Sequence, residues 1–255
     1  MIRDETTLTL LRIFAILRMK DPMMTLDTNQ LARMIDLSCV RADSTLAEMD
    51  EAVALAKQYG IFCLFALPAH TARLVEMIAD RDDMIVGGVV SFPDGGSNTA
   101  TKVFEAKEMI AAGVGEIDMV NNIALLKAGE YDAYRADIAA VVDAAAPHGI
   151  PVKVIFECHY LTDAEIIKAC ELAQQAGVAW VKTGTGWAET GATLENVTLM
   201  KQTVGDACKV KAAGGVRDME TIEAMVERGV ERFGIGVRTA KAILEGMPAP
   251  AGETY

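Results

Sequence analysis

The sequence predicts one (β/α)8 barrel, a TIM barrel, with an additional N-terminal helix. Three observations carry this. Short runs of branched apolar residues alternate eight times with longer amphipathic stretches, the pattern of parallel strands joined by crossover helices. No linker or shift in composition divides the 255 residues, and a single barrel commonly fills a chain of that length. Lysines also recur at one place in the repeat: Lys153, Lys182 and Lys211 lie 29 and 29 residues apart, about one strand–helix unit. An open, doubly wound sheet is the alternative. It is disfavoured because no GxGxxG turn follows the first strand.

The elements follow in order. Residues 1–26 form a helical extension. Its apolar part, Leu8 to Lys20, is broken by Arg12, follows Asp4 and Glu5, and lacks a small-residue cleavage site, so it reads as a packed amphipathic helix and not a signal peptide. The barrel occupies 27–246. Asp27 caps a short helix, and Met34–Cys39 is the first strand, ending in an acid, Asp36. Ser44–Tyr59 places Leu46, Met49, Val53, Leu55 and Ala56 on one face and closes at Gly60. Ile61–Leu67 is a second strand stopped by Pro68, with a helix over His70–Ala79. Met84–Phe92 is the third strand. The loop Phe92–Gly96 follows, and then a helix capped at Ser97 or Asn98 and running to Ala112.

Glu116–Val120 is strand four, and its helix covers Tyr131–Ala146. Strand five runs from Pro151 to Glu157, and Thr162 caps the helix Asp163–Ala176. Val178–Lys182 is strand six, followed by a helix over Thr193–Val204. Cys208–Ala213 is strand seven, with a helix over Asp218–Glu227 that closes at Gly229. Arg232–Gly236 is strand eight and the last helix ends at Glu245. Residues 247–255 form a flexible tail.

A net charge of −12 argues against nucleic acid or an anionic membrane as a partner, because both demand a basic face. Cys39, Cys63, Cys158, Cys170 and Cys208 show no CxxC or other ligand spacing, so they read as reduced core thiols of a cytoplasmic protein. The three histidines, His70, His148 and His159, form no HxH or HExxH pair, and neither a metal nor another cofactor is implied. No stretch is long enough to span a bilayer. The N-terminal helix and the many methionines allow a homo-oligomer.

In such a barrel, chemistry belongs where strands end and the following loops begin. The polar residues expected there are Asp36, Asp118, Lys153, Lys182 and Lys211, with glycine turns at Gly184/Gly186, Gly214/Gly215 and Gly234/Gly236. A lysine buried in a barrel must be paired or lose its proton. Three neighbouring ammonium groups would depress one another, and a neutral lysine attacks carbonyls. Salt bridges to Asp118 or Glu157 are the bland reading of any one lysine. Three in register with glycine turns point to catalysis, and backbone N–H groups at the last two turns suit a phosphate or carboxylate.

Glu116-Ile-Asp-Met-Val120, Val152-Lys-Val-Ile-Phe-Glu157, Val181-Lys-Thr-Gly-Thr-Gly186 and Val210-Lys-Ala-Ala-Gly-Gly-Val-Arg217 resemble the deoxyribose-phosphate aldolase family, over about Leu31 to Gly246. These are class I, metal-independent barrel lyases. The resemblance implies that Lys182 forms an imine with the donor carbonyl and that Lys211 depresses its pKa. It implies that Asp118 moves protons through a water, and that Asp36 and Lys153 support them. The implied substrate is like deoxyribose 5-phosphate, giving acetaldehyde and a glyceraldehyde-type product. Gly186, Gly214, Gly215, Gly234, Gly236 and Arg217 would surround it, joined by Arg238 unless that residue points outward.

The departures gather at the phosphate end. The family's Gly-x-Ser-Ser stretch is Gly234-Ile-Gly236-Val237 here. Trp187 replaces a lysine found in some members, Phe92-Pro-Asp94-Gly95 adds a negative charge, and the Cys-x-x-Pro pattern of strand two is blurred to Cys63–Pro68. A terminal tyrosine acts as a proton carrier in some members, and this chain ends in Tyr255. Two alternatives stand beside the aldolase reading: the same lysine chemistry on an unphosphorylated or differently charged substrate, in a lyase or transferase, and a non-catalytic metabolite-binding barrel.

Overall fold

The computed structural model describes residues 26–248 and 250. The expected N-terminal helix and Tyr255 lie outside the described residues. Within them, eight parallel strands close into a barrel in sequence order. They are β1 (Ile35–Cys39), β2 (Cys63–Ala66), β3 (Ile85–Val90), β4 (Glu116–Val120), β5 (Val152–Ile155), β6 (Trp180–Lys182), β7 (Lys209–Ala213) and β8 (Val230–Gly236). The helices are α1 (Thr28–Met34), α2 (Leu46–Tyr59), α3 (Pro68–Met77), α4 (Thr99–Ala111), α5 (Ile123–Lys127), α6 (Tyr131–Ala145), α7 (Asp163–Gln175), α8 (Leu194–Val204), α9 (Met219–Val226) and α10 (Val237–Leu244).

Local chemistry sets the boundaries. Asp27 and Gln30 form a reciprocal capping box at α1, and Thr162 with Glu165 repeats it at α7. Gly60 ends α2 in the left-handed conformation, φ +73°, which a side chain would resist. Pro68 begins α3 instead of merely stopping β2, because the first helical position needs no N–H. Helix α5 was not expected. Its five residues are too few to show a period, and its start rests on the Asn122 side chain accepting from Leu125 N at 3.1 Å.

The apolar faces of the helices bury Leu, Ile, Val and Met against the outside of the strands, each fully buried side chain contributing about 1.5–3 kcal/mol over exposure. Between α4 and α6, Lys102 Nζ meets Asp137 Oδ2 at 2.6 Å, with both side chains essentially inaccessible.

The inside of the barrel is different. Side chains alternate across each strand, so the strand register fixes which residues share an interior level. From the N-terminal floor, the even strands contribute Cys63, Glu116, Trp180 and Arg232; the odd strands then contribute Asp36, Gly87, Lys153 and Lys211; the even strands next add Phe65, Asp118, Lys182 and Gly234. All three levels carry charge. Only Lys182 sits at the end of its strand; Asp36, Asp118, Lys153 and Lys211 lie within theirs, which corrects their expected placement at strand ends. Two glycines make this crowding feasible. A Cβ on Gly87 would stand 2.1 Å from the Phe65 ring, and one on Gly234 would stand 2.9 Å from Ala213 Cβ.

Candidate active site

Lys182, the last residue of β6, is 4% exposed, and its Nζ donates to Asp118 Oδ2 at 2.8 Å. Lys211 Nζ donates to the same oxygen at 2.8 Å and stands 2.5 Å from Asp36 Oδ2. Lys153 Nζ lies 2.7 Å from Glu116 and 3.1 Å from Asp118 Oδ1, but its N–H bonds align on neither, so it acts as a buried charge. On the floor, Arg232 reaches Asp36 Oδ1 at 2.5 Å and Glu116 Oε1 at 3.5 Å. The Phe65 ring lies 4.4 Å from Lys211 Nζ and 5.3 Å from Lys153 Nζ. The structure thus brings all five residues expected to be catalytic into one network.

Glu116, Arg232 and Phe65 join that network without having been singled out from the sequence. A signal existed for Glu116: it is two residues before Asp118 in a strand, so both must face the same side. Arg232 stands in the same relation to Gly234.

The network does not treat its amines alike. Burial is the largest influence on Lys182, and with help from the Lys211 charge it outweighs Asp118, bringing the amine from 10.5 down to about 8. Burial opposes charge on Lys211 too, but Asp118, Asp36 and Glu116 together hold that ammonium above the ordinary lysine range. Lys153 is likewise raised, by Asp118, Glu116 and Asp36 against burial. The expectation that three ammonium groups would depress one another is corrected by these acids: their attraction exceeds the lysines' mutual repulsion at all three amines, and at Lys182 it is burial that tips the balance toward the neutral form. Burial pushes Asp118 up, yet Lys153, Lys182 and Lys211 hold it well below the usual carboxylate range. Asp36 is also lowered: against burial stand Lys211, Lys153 and Arg232.

Glu157, offered as a partner for the lysines, instead holds the loop after β6. Its Oε2 accepts from Thr185 N at 3.2 Å and from the Thr185 hydroxyl. Burial raises its carboxyl despite those two bonds. Trp187 follows on the same loop. Its indole N–H donates to Val40 O at 3.0 Å, and its ring meets Phe92 edge-on at a centroid distance of 6.0 Å. Thr185, Trp187, Glu157 and Asp94 line a cavity of about 250 Å³ beside the mouth.

The glycine turns are placed as follows. Gly186, Gly214 and Gly215 adopt φ of +88°, +82° and +87°. The loops after β6 and β7 touch backbone to backbone, where a Cβ on Gly191 would stand 2.3 Å from Gly214 O. Gly234 is not in a turn: β8 continues to Gly236, which directly precedes α10 and leaves that helix without a side-chain cap. The start of α10 therefore lies at the end of the barrel where the strands finish. Arg217 is half-buried with no ion pair or side-chain hydrogen bond among the described residues, and Arg238 is exposed on α10.

Among the described residues, Asp36, Cys63 and Glu116 bring three ligand-type atoms within 4.8 Å. Arg232, Lys153 and Lys211 already neutralise the two acids, and burial drives the Cys63 thiol well up, so this donor set does not suit a cation. No helix among the described residues is long and apolar enough to cross a membrane.

A closed barrel presenting a buried, easily deprotonated lysine beside a second, charged lysine and a shared aspartate defines the class of imine-forming, class I lyases. Comparison gives the family. The DeoC/LacD family aldolase model matches residues 27–246. The chain is 43% identical over 218 residues to the deoxyribose-phosphate aldolase of Klebsiella pneumoniae, covering 85% of this chain and 87% of that protein. It is 44% identical to that of Methanothermobacter thermautotrophicus, covering 85% and 95%. The tetrameric deoxyribose phosphate aldolase from Aeropyrum pernix superposes with a TM-score of 0.78 at 26% identity, covering 86% of this chain and 92% of that one. The chain belongs to the DeoC/LacD aldolase family, and it is a class I aldolase.

Proposed function

We propose that the protein cleaves and forms the C2–C3 bond of 2-deoxyribose 5-phosphate or a close analogue, with Lys182 as the nucleophile. The observation that carries this is the amine of Lys182, brought down to about 8 and held 2.8 Å from an aspartate oxygen that a charged Lys211 shares. The neutral amine adds to the C1 carbonyl of the open-chain sugar. Loss of water from the carbinolamine gives a protonated imine. Removal of the C3 hydroxyl proton then breaks the C2–C3 bond, the electron pair moving into the imine to form an enamine. Glyceraldehyde 3-phosphate leaves, the enamine takes a proton at carbon, and water releases acetaldehyde from Lys182.

Asp118 and Lys211 supply and accept the protons of these steps, since they share a hydrogen bond beside the reacting nitrogen. Lys153 and Asp36 hold that pair in its charge state. For the phosphate, the turn at Gly214 and Gly215 and the β8–α10 junction at Gly236, with Arg217, would supply the contacts; Gly186 in the adjoining turn, Gly234 on β8, Trp187 and Arg238 are the further candidates.

One observation favours a second reading, in which the substrate is unphosphorylated: Gly236 and Val237 bring no hydroxyl to the anion end, and the cavity beside Trp187 carries Asp94 and Glu157. Borohydride trapping with acetaldehyde, read by mass spectrometry, tests the nucleophile: the adduct is expected on Lys182, and an adduct elsewhere refutes its role. Matched assays on deoxyribose 5-phosphate and deoxyribose test the substrate, a higher kcat/KM being expected for the phosphorylated sugar.

A further inference from the structure

Arg232 lies at the far end of the barrel from any substrate, yet it is tied into the network around Lys182 more firmly than a plug would need. It enters from β8, and its guanidinium carbon lies 5.0 Å from the Phe62 ring and 5.4 Å from the Trp180 ring. Those rings carry cations on their own account: Arg33 stands 5.2 Å from Phe62 and Lys209 stands 5.1 Å from Trp180. Aromatic faces attract cations, so this floor pins Arg232 in one place. From there its Nη1 contacts Asp36 and Glu116, the two acids that also hold Lys211 and Lys153.

The charges inside the barrel can be counted by strand. Asp36 on β1 and Glu116 and Asp118 on β4 are acids; Lys153 on β5, Lys211 on β7 and Arg232 on β8 are cations. These six balance. Cys63 on β2 holds its proton; Glu157 at the mouth is hydrogen-bonded to Thr185, burial raises its carboxyl although the Lys182 charge acts against this, and among the described residues it forms no ion pair with these six. A protonated Lys182 on β6 is therefore a positive charge additional to this balanced set in a buried site, sharing Asp118 with Lys153 and Lys211, and incompletely compensated buried charge is costly.

We propose that Arg232 is a positioning residue for the aldol chemistry: from the barrel floor it pairs with Asp36 and Glu116 and so makes Lys182 the surplus amine of the network. Without the guanidinium, three acids would face two cations, and a proton on Lys182 would restore the balance. The inference rests on the imine reading only for its consequence to catalysis, because the ionisation of Lys182 can be read without any reaction.

The test follows the pH dependence of Lys182 acetylation by acetic anhydride, resolved by mass spectrometry, in four variants. Arg232→Gln is expected to move the Lys182 titration up by about one pH unit, the order expected for a unit charge acting across a barrel interior. Glu116→Gln is expected to move it down. The charge-balanced double variant is expected to return it to the wild-type position, and Arg232→Lys to leave it there. The acid limb of kcat/KM should move with the acetylation curve. Where Arg232→Gln fails to fold, Glu116→Gln and the balanced double variant still decide the matter by the direction and the cancellation of their shifts.

A Lys182 titration that stays put in all variants that fold, with activity lost evenly across pH, overturns the proposal and leaves Arg232 as packing. So do two single variants that shift in the same direction. Borohydride trapping of the wild-type enzyme separates the two ideas: its failure refutes the imine reading, while the acetylation curves still judge Arg232.

Discussion

Replacing Lys182 with methionine should abolish aldol activity and stabilise the protein at neutral pH. The amine is buried and titrates at about 8 in the folded chain, against 10.5 for an ordinary lysine. Between those two values the unfolded chain binds a proton that the folded chain does not, so the wild-type protein gains stability as pH rises through the window. Below pH 8 the folded protein carries the full penalty, which the gap between the two values sets at about 3 kcal/mol. Methionine fills similar volume without a proton, and Asp118 keeps its contacts with Lys211 and Lys153. Urea unfolding of both proteins at one concentration, at pH 7 and again near pH 11, provides the measurement. The variant should exceed wild type by about 3 kcal/mol at pH 7, and the advantage should vanish near pH 11. A variant no more stable at pH 7, or an advantage independent of pH, would refute the account of Lys182.

Three further outcomes are expected. The wild-type kcat/KM should rise with pH and level off above about 8, because only the neutral amine of Lys182 attacks; a limb at 6 or at 10 would contradict its assignment. Lys211→Leu removes the charge that helps depress Lys182, so the same limb should move upward and activity at pH 7 should fall by about 100-fold or more. Asp137→Ala leaves the ammonium of Lys102 buried and unpaired, and should cost about 3–5 kcal/mol in urea unfolding with little change in the pH profile of surviving enzyme.

The barrel was legible because the strands are short and mostly apolar, and several of the helices that follow them carry side-chain caps. Asp27, Thr162 and Thr193 announce helix starts in the sequence and do so in the structure. The lysines were legible for a related reason: an amine repeated at one phase of a strand–helix unit must return to one side of the barrel. Their depth was not legible. A residue's level in a barrel depends on the strand register, a relation between segments that no single segment encodes. Glu116 and Arg232 suffered most from this. Both stand near the beginnings of strands, where charged residues ordinarily face solvent, and only the closed register turns them onto the floor beneath Asp36 and Lys153. Likewise Gly234 looks like a turn residue until the helix α10 is seen to start directly after β8.

The placement of these charges bears on why a barrel of this kind can make one lysine reactive without making the others so. Desolvation alone would depress every buried lysine, and it is the largest influence on Lys153, Lys182 and Lys211 alike. What separates them is access to acids. Lys153 and Lys211 sit on the middle level, with Asp36 beside them, Glu116 below and Asp118 above. Lys182 sits one level higher, at the strand end, with Asp118 as its single ion-pair partner among the described residues. That partner also serves the other two lysines, so the same carboxylate that could hold a proton on Lys182 is already spoken for. Position along the barrel axis thus converts one shared physical penalty into two chemical states. A charged pair stays fixed below, and an amine able to lose its proton stands at the level that a substrate carbonyl can reach.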